Sequence, residues 1–506
     1  MSAFSIPALL VASAISFLLL YLNRARKYKL PPGPKGLPVV GNLFNAPKAF
    51  EWLVFQDWSR QYDSDVVHFE IIGTHFVVLN SAKSADDLFE GRSSNYADRP
   101  ETPMAQLSGW RWNWGIMRYG DNWRAHRRLF HRFFRAPVVP AYHASEATAV
   151  HELLRGLRDK PDQWMRHIRF MAGSNVLKIV YSMELESADD PRLDVIEKSV
   201  KVFSRVTTAG AYLVDSFPIL KHVPAWLPGA QFKRDAAAWK PIVDEMHMLP
   251  YRNVKASFSS GNFTPCILTE ILSEMDLIKD ADERKAFEEV VIGTMGTAYA
   301  AASDTTMLTI LNFVLAMLLY PHVQTAAQKA LDDAIGRDRL PEIADKDAVP
   351  YITALMNECL RWRPPLPLAL PHRTVAADAY NGFHIPAGSL VIGNAWAILH
   401  DPLVYADPDT FAPERFLDAH GALRGDVPAP RAAFGFGRRV CPGRHFAGDL
   451  VWLALAGVLA AFDVVKPVDG KGGVVEPSGE YMSGTFSFPV PFEAEFRRRG
   501  HGEIPV

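Results

Sequence analysis

The segment with the clearest capacity for chemistry is Phe434–Gly443, FGFGRRVCPG, in which one cysteine lies among glycines and arginines. Pro442 suits the first turn of a helix, and apolar residues then recur at helical spacing as far as Ala461. Cys441 is therefore predicted to lie at a helix N-terminus. The helix dipole and the two arginines favour thiolate over thiol, so Cys441 is predicted to be a metal ligand or a nucleophile. A buried structural cysteine is the alternative.

The glycines of this segment do not form a dinucleotide-binding loop. The third glycine of that fingerprint is absent after Gly435 and Gly437, and no strand-to-helix unit with a ribose-binding acid follows. Glycine instead leaves room near the sulfur for a bulky, flat partner and for backbone N–H groups.

A second candidate lies on a helix predicted from about Ala286 to Tyr320, which would be ~50 Å long at ~1.5 Å per residue. Asp304, within AASDTTM, is its only charged residue after Val290. A second transmembrane helix is one interpretation. Small and polar residues throughout the middle favour a helix buried at the centre of a large domain. There, Asp304 followed by Thr305 would be a costly polar pair that faces a group requiring it.

Two weaker signals involve a carboxylate and two arginines. Glu358 and Arg361 share one helix face at a spacing of three residues and can pair, while Arg415 lies in a predicted loop within PERF, Pro413–Phe416. Each alone is typical of a solvated surface. Together the two signals carry more weight than either does alone.

Composition excludes several classes of protein. The 506 residues are 48% hydrophobic and 22% charged, as in a globular protein with a sizeable core. The net charge of -2 gives no support for a nucleic-acid binder. The three cysteines are far apart and odd in number, which excludes a disulfide framework and a local multi-cysteine metal site and fits a reducing compartment.

The N-terminus is predicted to be a membrane anchor. Ile6–Leu22 carries no charge, and four basic residues follow by Lys29. This run is close to the ~17 residues that a bilayer requires and longer than the core of a cleaved signal. Basic residues on its C-terminal flank predict that the rest of the chain stays in the cytosol.

The rest of the chain divides simply. After the anchor, residues 1–29, a proline-rich hinge covers residues 30–42 and one catalytic domain covers residues 43–506. Its periodicity is mostly helical, with short strands early (VVHFEIIG, HFVVLN) and late. The predicted fold is therefore mainly α (α+β), a large helical domain with a long central helix and small β-sheets.

In this order, the motifs resemble those of the cytochrome P450 family over nearly the whole chain. Phe434, Gly437, Arg439, Cys441 and Gly443 fill the heme-loop pattern Phe-x-x-Gly-x-Arg-x-Cys-x-Gly. Glu358 and Arg361 fill Glu-x-x-Arg, PERF follows, and Trp123 and Arg127 fill Trp-x-x-x-Arg. Asp215–Lys233 and Pro371–Ser389 are most similar to fungal microsomal P450s of secondary metabolism.

The resemblance implies a role for each of these residues. Cys441 would be the axial thiolate of heme b, with Phe434, Gly437 and Gly443 around it. The propionates would be held by Arg439, Trp123, Arg127 and His372. Glu358, Arg361 and Arg415 would form a structural triad, and Asp304 with Thr305 the acid-alcohol pair beside bound oxygen. The family often has glycine where this chain has Ala302, whose methyl group would narrow the pocket.

The function that the resemblance implies is a heme-thiolate monooxygenase on the cytosolic face of the endoplasmic reticulum. Electrons would come from NADPH–cytochrome P450 reductase, with cytochrome b5 as a second candidate donor. The substrate would be a hydrophobic terpenoid, polyketide or aromatic. By family likeness it would be enclosed by parts of Arg99–Asp121, Lys201–Pro218, Met295–Thr305, Leu366–Pro371 and Met482–Ser487. Trp110, Trp112 and Trp114 would be substrate, core or membrane contacts.

Two other functions stay open at this point. A heme-thiolate isomerase or dehydratase would need no reductase, and a non-catalytic heme- or lipid-binding membrane protein would need no acid-alcohol pair. The presence of Asp304 and Thr305 argues against the isomerase or dehydratase. NADPH consumption with a reductase and a substrate panel would separate all three functions.

Overall fold

A computed structural model describes residues 28–208 and 210–500. The predicted anchor therefore lies almost entirely outside the described residues. The helices are α1 Glu51–Gln61, α2 Ala82–Ala85, α3 Ser93–Tyr96, α4 Pro103–Leu107, α5 Asp121–Phe134, α6 His143–Asp159, α7 Trp164–Tyr181, α8 Pro191–Thr207, α9 Leu213–Ser216, α10 Gln231–Ser259, α11 Ile267–Met275, α12 Ala281–Leu319, α13 Pro321–Ile335, α14 Pro350–Trp362, α15 Ala395–Leu399 and α16 Arg444–Ala461.

Short strands form three small sheets. The strands are β1 Val66–Ile71, β2 Thr74–Leu79, β3 His372–Arg373, β4 Asp378–Tyr380, β5 Phe383–Ile385, β6 Leu390–Gly393, β7 Phe462–Val465 and β8 Glu495–Arg498. The largest sheet has the order β1-β2-β6-β3, and β4-β5 and β7-β8 are antiparallel pairs. The mainly helical fold with small sheets is thus confirmed.

The central helix α12 is 39 residues long, and most of its surface is buried inside the domain. It begins five residues before the predicted start because Asp280 caps it, its Oδ1 accepting from the Glu283 backbone N–H at 2.8 Å. Helices α7 and α16 pack against it, and α6 joins the same hydrophobic cluster by packing on α7 and α16. The interpretation as a buried core helix, rather than a membrane span, agrees with this packing.

A second apolar helix, α16, would also be long enough to cross a bilayer, but it is mostly buried as well. Gly457 lets it approach α6 closely, because a Cβ there would lie 3.1 Å from Val150 Cγ1. Contacts with α6 and α12 thus fix the position of α16 in the domain.

The proline-rich stretch packs on the largest sheet. Pro32 accepts a hydrogen bond from the His68 backbone N–H at 2.9 Å, and Gly41 forms a bridge to Ile71. A Cβ at Gly33 would lie 1.9 Å from the His68 carbonyl oxygen, so glycine is needed for this approach. The segment therefore fixes where the chain enters the domain.

The triad predicted from Glu358, Arg361 and Arg415 is present. Arg361 donates to Glu358 through Nε at 2.6 Å and through Nη2 at 2.8 Å, and neither side chain is exposed. Arg415 Nε donates to Glu358 Oε1 at 3.1 Å. Arg361 also donates hydrogen bonds to the Leu399 and Pro408 carbonyls. These bonds connect α14 to the irregular segment that leads to the Cys441 loop.

Candidate active site

A cavity of about 280 Å³, here called the main cavity, lies between α12 and the Cys441 loop. Its wall on the α12 side consists of small residues, among them Ala298, Ala301 and Ala302. Phe434, Gly443 and Cys441 form the opposite wall, and segment 365–372 contributes Leu366. The lining is almost entirely apolar.

The Cys441 loop is held in one conformation by its backbone. The Cys441 N–H donates to the Phe434 carbonyl at 2.8 Å, and residues 437–439 form a 3-10 turn. Gly437 has a φ of 53°, and a Cβ there would lie 2.2 Å from the Phe89 carbonyl oxygen. Only glycine fits this position. Cys441 thus faces the cavity, directly before α16.

The pKa of the Cys441 thiol is raised, although the sequence predicts that its neighbours favour the thiolate. Burial raises the pKa of the Cys441 thiol, and the backbone N–H of Gly443 and the guanidinium groups of Arg127 and Arg444 only oppose this effect. The helix terminus and the neighbouring cations therefore do not produce a thiolate by themselves. A coordinating metal ion deprotonates a cysteine outright, so a buried Cys441 can serve as a metal ligand but is a poor free nucleophile.

Four basic side chains surround one end of the cavity. Arg439, Arg127 and His372 were expected there, and Arg99 joins them without having been predicted. Burial lowers the pKa of Arg439 to about 9 and the pKa of Arg99 strongly, with Arg439 adding repulsion at Arg99. Asp98 attracts Arg99 and Arg439 electrostatically but pairs with Arg118 at 2.7 Å, and among the described residues no carboxylate lies within ion-pair distance of the three arginines.

Arg99 is held by loops that are distant in sequence. Its Nε donates to the Gly115 carbonyl at 3.1 Å, and its Nη1 donates to Pro371 at 2.9 Å. Nothing in its local sequence distinguishes it from a surface arginine. Arg99 is part of the site because the loops near residues 115 and 371 hold its guanidinium there.

The expected indole contact comes from α5. Trp123 and Arg127 lie one turn apart on this helix, and both line the cavity. The Arg439 guanidinium lies 4.3 Å from the Trp123 ring centroid, while the buried Trp123 Nε1 has no hydrogen-bond partner within the described part of the chain. An unsatisfied buried donor beside repelling cations indicates a site for an anion.

These features fit the heme that the resemblance predicts. One wall supplies a cysteine ligand, the apolar lining accommodates a flat macrocycle, and the far end supplies arginines and an indole N–H for two carboxylates. The expected role of His372 as a propionate donor fits less directly. Its Nδ1 lies 2.7 Å from the Tyr96 carbonyl oxygen and accordingly donates to it. Burial also lowers the pKa of His372. It could therefore donate to a propionate only by gaining a proton at Nε2.

Asp304 and Thr305 face different surroundings. Thr305 lines the cavity, and its hydroxyl donates to the Ala301 carbonyl at 2.7 Å. Asp304 is buried outside the cavity lining, with Oδ1 unpartnered. Burial raises the pKa of Asp304 to about 6, whereas the nearby Arg169 lowers it. The pair is adjacent in sequence, but only the threonine reaches the cavity directly.

The expected substrate segments fall into two groups. Parts of Arg99–Asp121, Met295–Thr305 and Leu366–Pro371 line the main cavity, as does Trp114. The other two segments contribute to a second, smaller cavity through Thr207, Thr208, Gly210, Gly484 and Thr485. Trp110 and Trp112 pack in the core against Phe203 and His247 rather than lining either cavity.

Comparison with known proteins agrees with this geometry. The family model "Cytochrome P450" matches residues 31–480. A cytochrome P450 monooxygenase of Armillaria gallica is 40% identical, with 94% of this chain and 93% of the relative covered. One from Rhodocybe pseudopiperita is 37% identical, covering 94% and 91%. The tryptamine 4-monooxygenase of Psilocybe cyanescens is 37% identical, covering 96% and 97%.

Proposed function

The chain belongs to the cytochrome P450 family, and from this premise we propose that it oxidises a hydrophobic small molecule with electrons from NADPH–cytochrome P450 reductase. It is a heme-dependent monooxygenase, as its relatives are. The proposal extends this to the class of substrate, the electron donor and the roles of individual residues.

The observation that carries the proposal is the placement of Cys441 and Thr305 on walls of the same apolar cavity. The bound heme supplies dioxygen activation and transfer of one oxygen atom to the substrate. The protein supplies the axial ligand at Cys441 Sγ and the basic groups that fix the orientation of the heme. Small side chains on α12 leave space for the substrate above it.

Thr305 and Asp304 are proposed to handle protons. The Thr305 hydroxyl donates its hydrogen to the Ala301 carbonyl and keeps two lone pairs. Its Oγ1 can therefore accept a hydrogen bond from a proton donor. A carboxyl with a pKa of about 6 can both take up and release a proton near neutral pH. Asp304 would therefore exchange protons with solvent. The Thr305 hydroxyl would pass a proton into the cavity by turning its own hydrogen away from the Ala301 carbonyl and accepting another at Oγ1.

The substrate is proposed to be a terpenoid, polyketide or aromatic molecule. The support is the almost wholly apolar lining and the similarity to monooxygenases from fungi. The relative that is named for tryptamine shows that one similar protein acts on an aromatic amine.

A membrane location is also proposed, at the cytosolic face of the endoplasmic reticulum. Support comes from the uncharged segment Ile6–Leu22 with its basic flank. It also comes from exposed apolar side chains in the segment after α8, where Ile219 and Trp226 are 73% and 78% exposed. Cytochrome b5 is proposed as an auxiliary electron donor.

A reconstituted assay tests this function. Purified holoenzyme, the reductase, NADPH and a panel of the three substrate classes should give an oxygenated product whose new oxygen comes from labelled dioxygen. Product that forms equally well without NADPH would instead show an isomerase or dehydratase. Heme-loaded protein that neither binds nor converts any member of the panel would contradict the proposed substrate classes.

A further inference from the structure

Glu146, near the start of α6, is a buried carboxyl group that the proposed mechanism does not use. Its side chain is fully buried, and within the part of the chain that the structure describes neither carboxylate oxygen has a hydrogen-bond partner. Buried polar groups are normally hydrogen-bonded, and a charged carboxylate is especially costly to bury without a partner. The surroundings of Glu146 therefore favour its neutral, protonated form.

The groups around Glu146 come from α16, from the segment before α14 and from α7. Burial raises the pKa of Glu146 to about 8, Asp449 on α16 adds repulsion, and Lys346 opposes the shift. Lys346 is already engaged, because its Nζ donates to Asp449 Oδ1 at 2.7 Å, while His143 Nε2 lies 3.2 Å from Asp449 Oδ2. From α7, the uncharged Asn175 accepts a hydrogen bond from α6 at 2.9 Å.

Asp449 lies on the turn of α16 that also borders the heme site. Gly448, the preceding residue, lines the main cavity, as does Ala447. The same helix begins at Arg444, directly after the cysteine loop, and the Arg444 guanidinium donates to the Cys441 carbonyl at 3.2 Å. A displacement of Asp449 is thus transmitted to the cysteine loop by one continuous helix.

We propose that Glu146 is a positioning residue for Cys441, because its neutral form lets α16 hold the thiolate in place and its ionised form displaces α16. Ionisation puts a second negative charge near Asp449 in a buried interface, where water screens the repulsion poorly. Lys346 neutralises one of the two carboxylates, and burial lowers the pKa of His445 on α16, so His445 adds no cation at high pH. The inference rests on the proposed function, with heme bound at Cys441.

The pH dependence of thiolate loss in the holoenzyme tests this role. The reduced carbon-monoxide complex shows a red-shifted band while Cys441 is bound and a band at shorter wavelength once the thiolate is lost. With a pKa of about 8, the ionised fraction of Glu146 rises about thirtyfold between pH 6.5 and pH 9. The rate of band conversion in the parent should rise at least tenfold over this range. In Glu146→Gln it should rise less than threefold, and Glu152→Gln, on the same helix, should follow the parent.

A second variant changes the ionisation of Glu146 without replacing it. Lys346→Met removes the cation that favours the carboxylate, so the pH midpoint of band conversion should move upward. Faster conversion at every pH with an unchanged midpoint would show that Lys346 acts only through its bond to Asp449, and would contradict the proposal.

Infrared spectroscopy reports the protonation directly. At pH 6.5 the difference spectrum between the parent and Glu146→Gln should contain the carbonyl band of a buried, protonated carboxyl group. Absence of that band, or equal pH dependence of band conversion in the parent and Glu146→Gln, would overturn the positioning role. A parent protein that shows no red-shifted band even at pH 6.5 would instead contradict the heme assignment on which the proposed function depends.

Discussion

Asp304 and Thr305 are consecutive on the central helix, yet Thr305 Oγ1 faces the main cavity while Asp304 carries an unpartnered oxygen buried outside its lining. The Thr305 hydroxyl donates to the Ala301 carbonyl at 2.7 Å. This bond is the one expected if threonine merely satisfied the helix. A proton role must therefore be tested by removing the hydroxyl.

Thr305→Ala is expected to keep heme, azole binding and NADPH consumption while diverting electrons from product to hydrogen peroxide. Asp304→Asn is expected to slow turnover by ~10²-fold, the scale of general acid contributions. The measurement is product and peroxide formed per NADPH. Thr305→Ser is the matched control and should stay coupled. If Thr305→Ala gives unchanged product per NADPH, protons reach the cavity by another route.

Glu358→Ala is expected to destabilise the domain strongly. It leaves the Arg361 guanidinium buried without its carboxylate, and breaking such a buried pair costs ~3–5 kcal/mol. The measurement is the yield of heme-loaded protein and its thermal unfolding. Arg60→Ala is the control, because the Arg60–Asp57 pair is exposed and such pairs contribute less than ~1 kcal/mol. Equal effects of both variants would rule out a structural role for the triad.

Local pattern was enough to predict several elements of this protein. The β1 and β2 strands and the end of the central helix follow from periodicity and from Pro321, which lies beyond it. Contacts between distant segments were not accessible in this way. The position of Arg99 depends on loops near residues 115 and 371, and the pKa of Cys441 depends on burial that its neighbours in sequence do not reveal.

Glu146 was also not predicted from the sequence, because its burial depends on contacts between distant segments. It lies on α6 and is fully buried, and neither carboxylate oxygen has a hydrogen-bond partner among residues 28–208 and 210–500. Burial raises the pKa of Glu146 to about 8, Asp449 adds repulsion, and Lys346 opposes the shift. The folded state thus holds a proton that the unfolded chain has lost between pH ~4.5 and ~8.

The free energy of unfolding should therefore lose a contribution from Glu146 as pH rises through this window. Glu146→Gln removes the ionisation, so its stability should fall less than that of the parent between pH 5.5 and 8.5. Chemical denaturation at these two pH values measures the difference. Glu152→Gln, on the same helix, should follow the parent. A parallel fall in Glu146→Gln and parent would show that the pKa of Glu146 is the same in the folded and unfolded states.

Removing residues 1–29 is expected to release most of the protein from membranes with its heme content unchanged. Fractionation by sedimentation and the heme spectrum provide the measurement. Residual binding is expected from the exposed side chains Ile219 and Trp226, and it should fall when both are replaced by serine. A truncated protein that is soluble but free of heme would contradict a purely anchoring role.

The most direct test of the whole account is the identity of the axial ligand. The reduced parent protein with carbon monoxide should show the red-shifted band of a thiolate-bound heme, and Cys441→Ala should lose it. Cys359→Ala is the control, since Cys359 is fully buried in the hydrophobic core away from the cavity and its removal should leave the band in place. Retention of the band in Cys441→Ala, together with its loss in Cys359→Ala, would contradict the assignment.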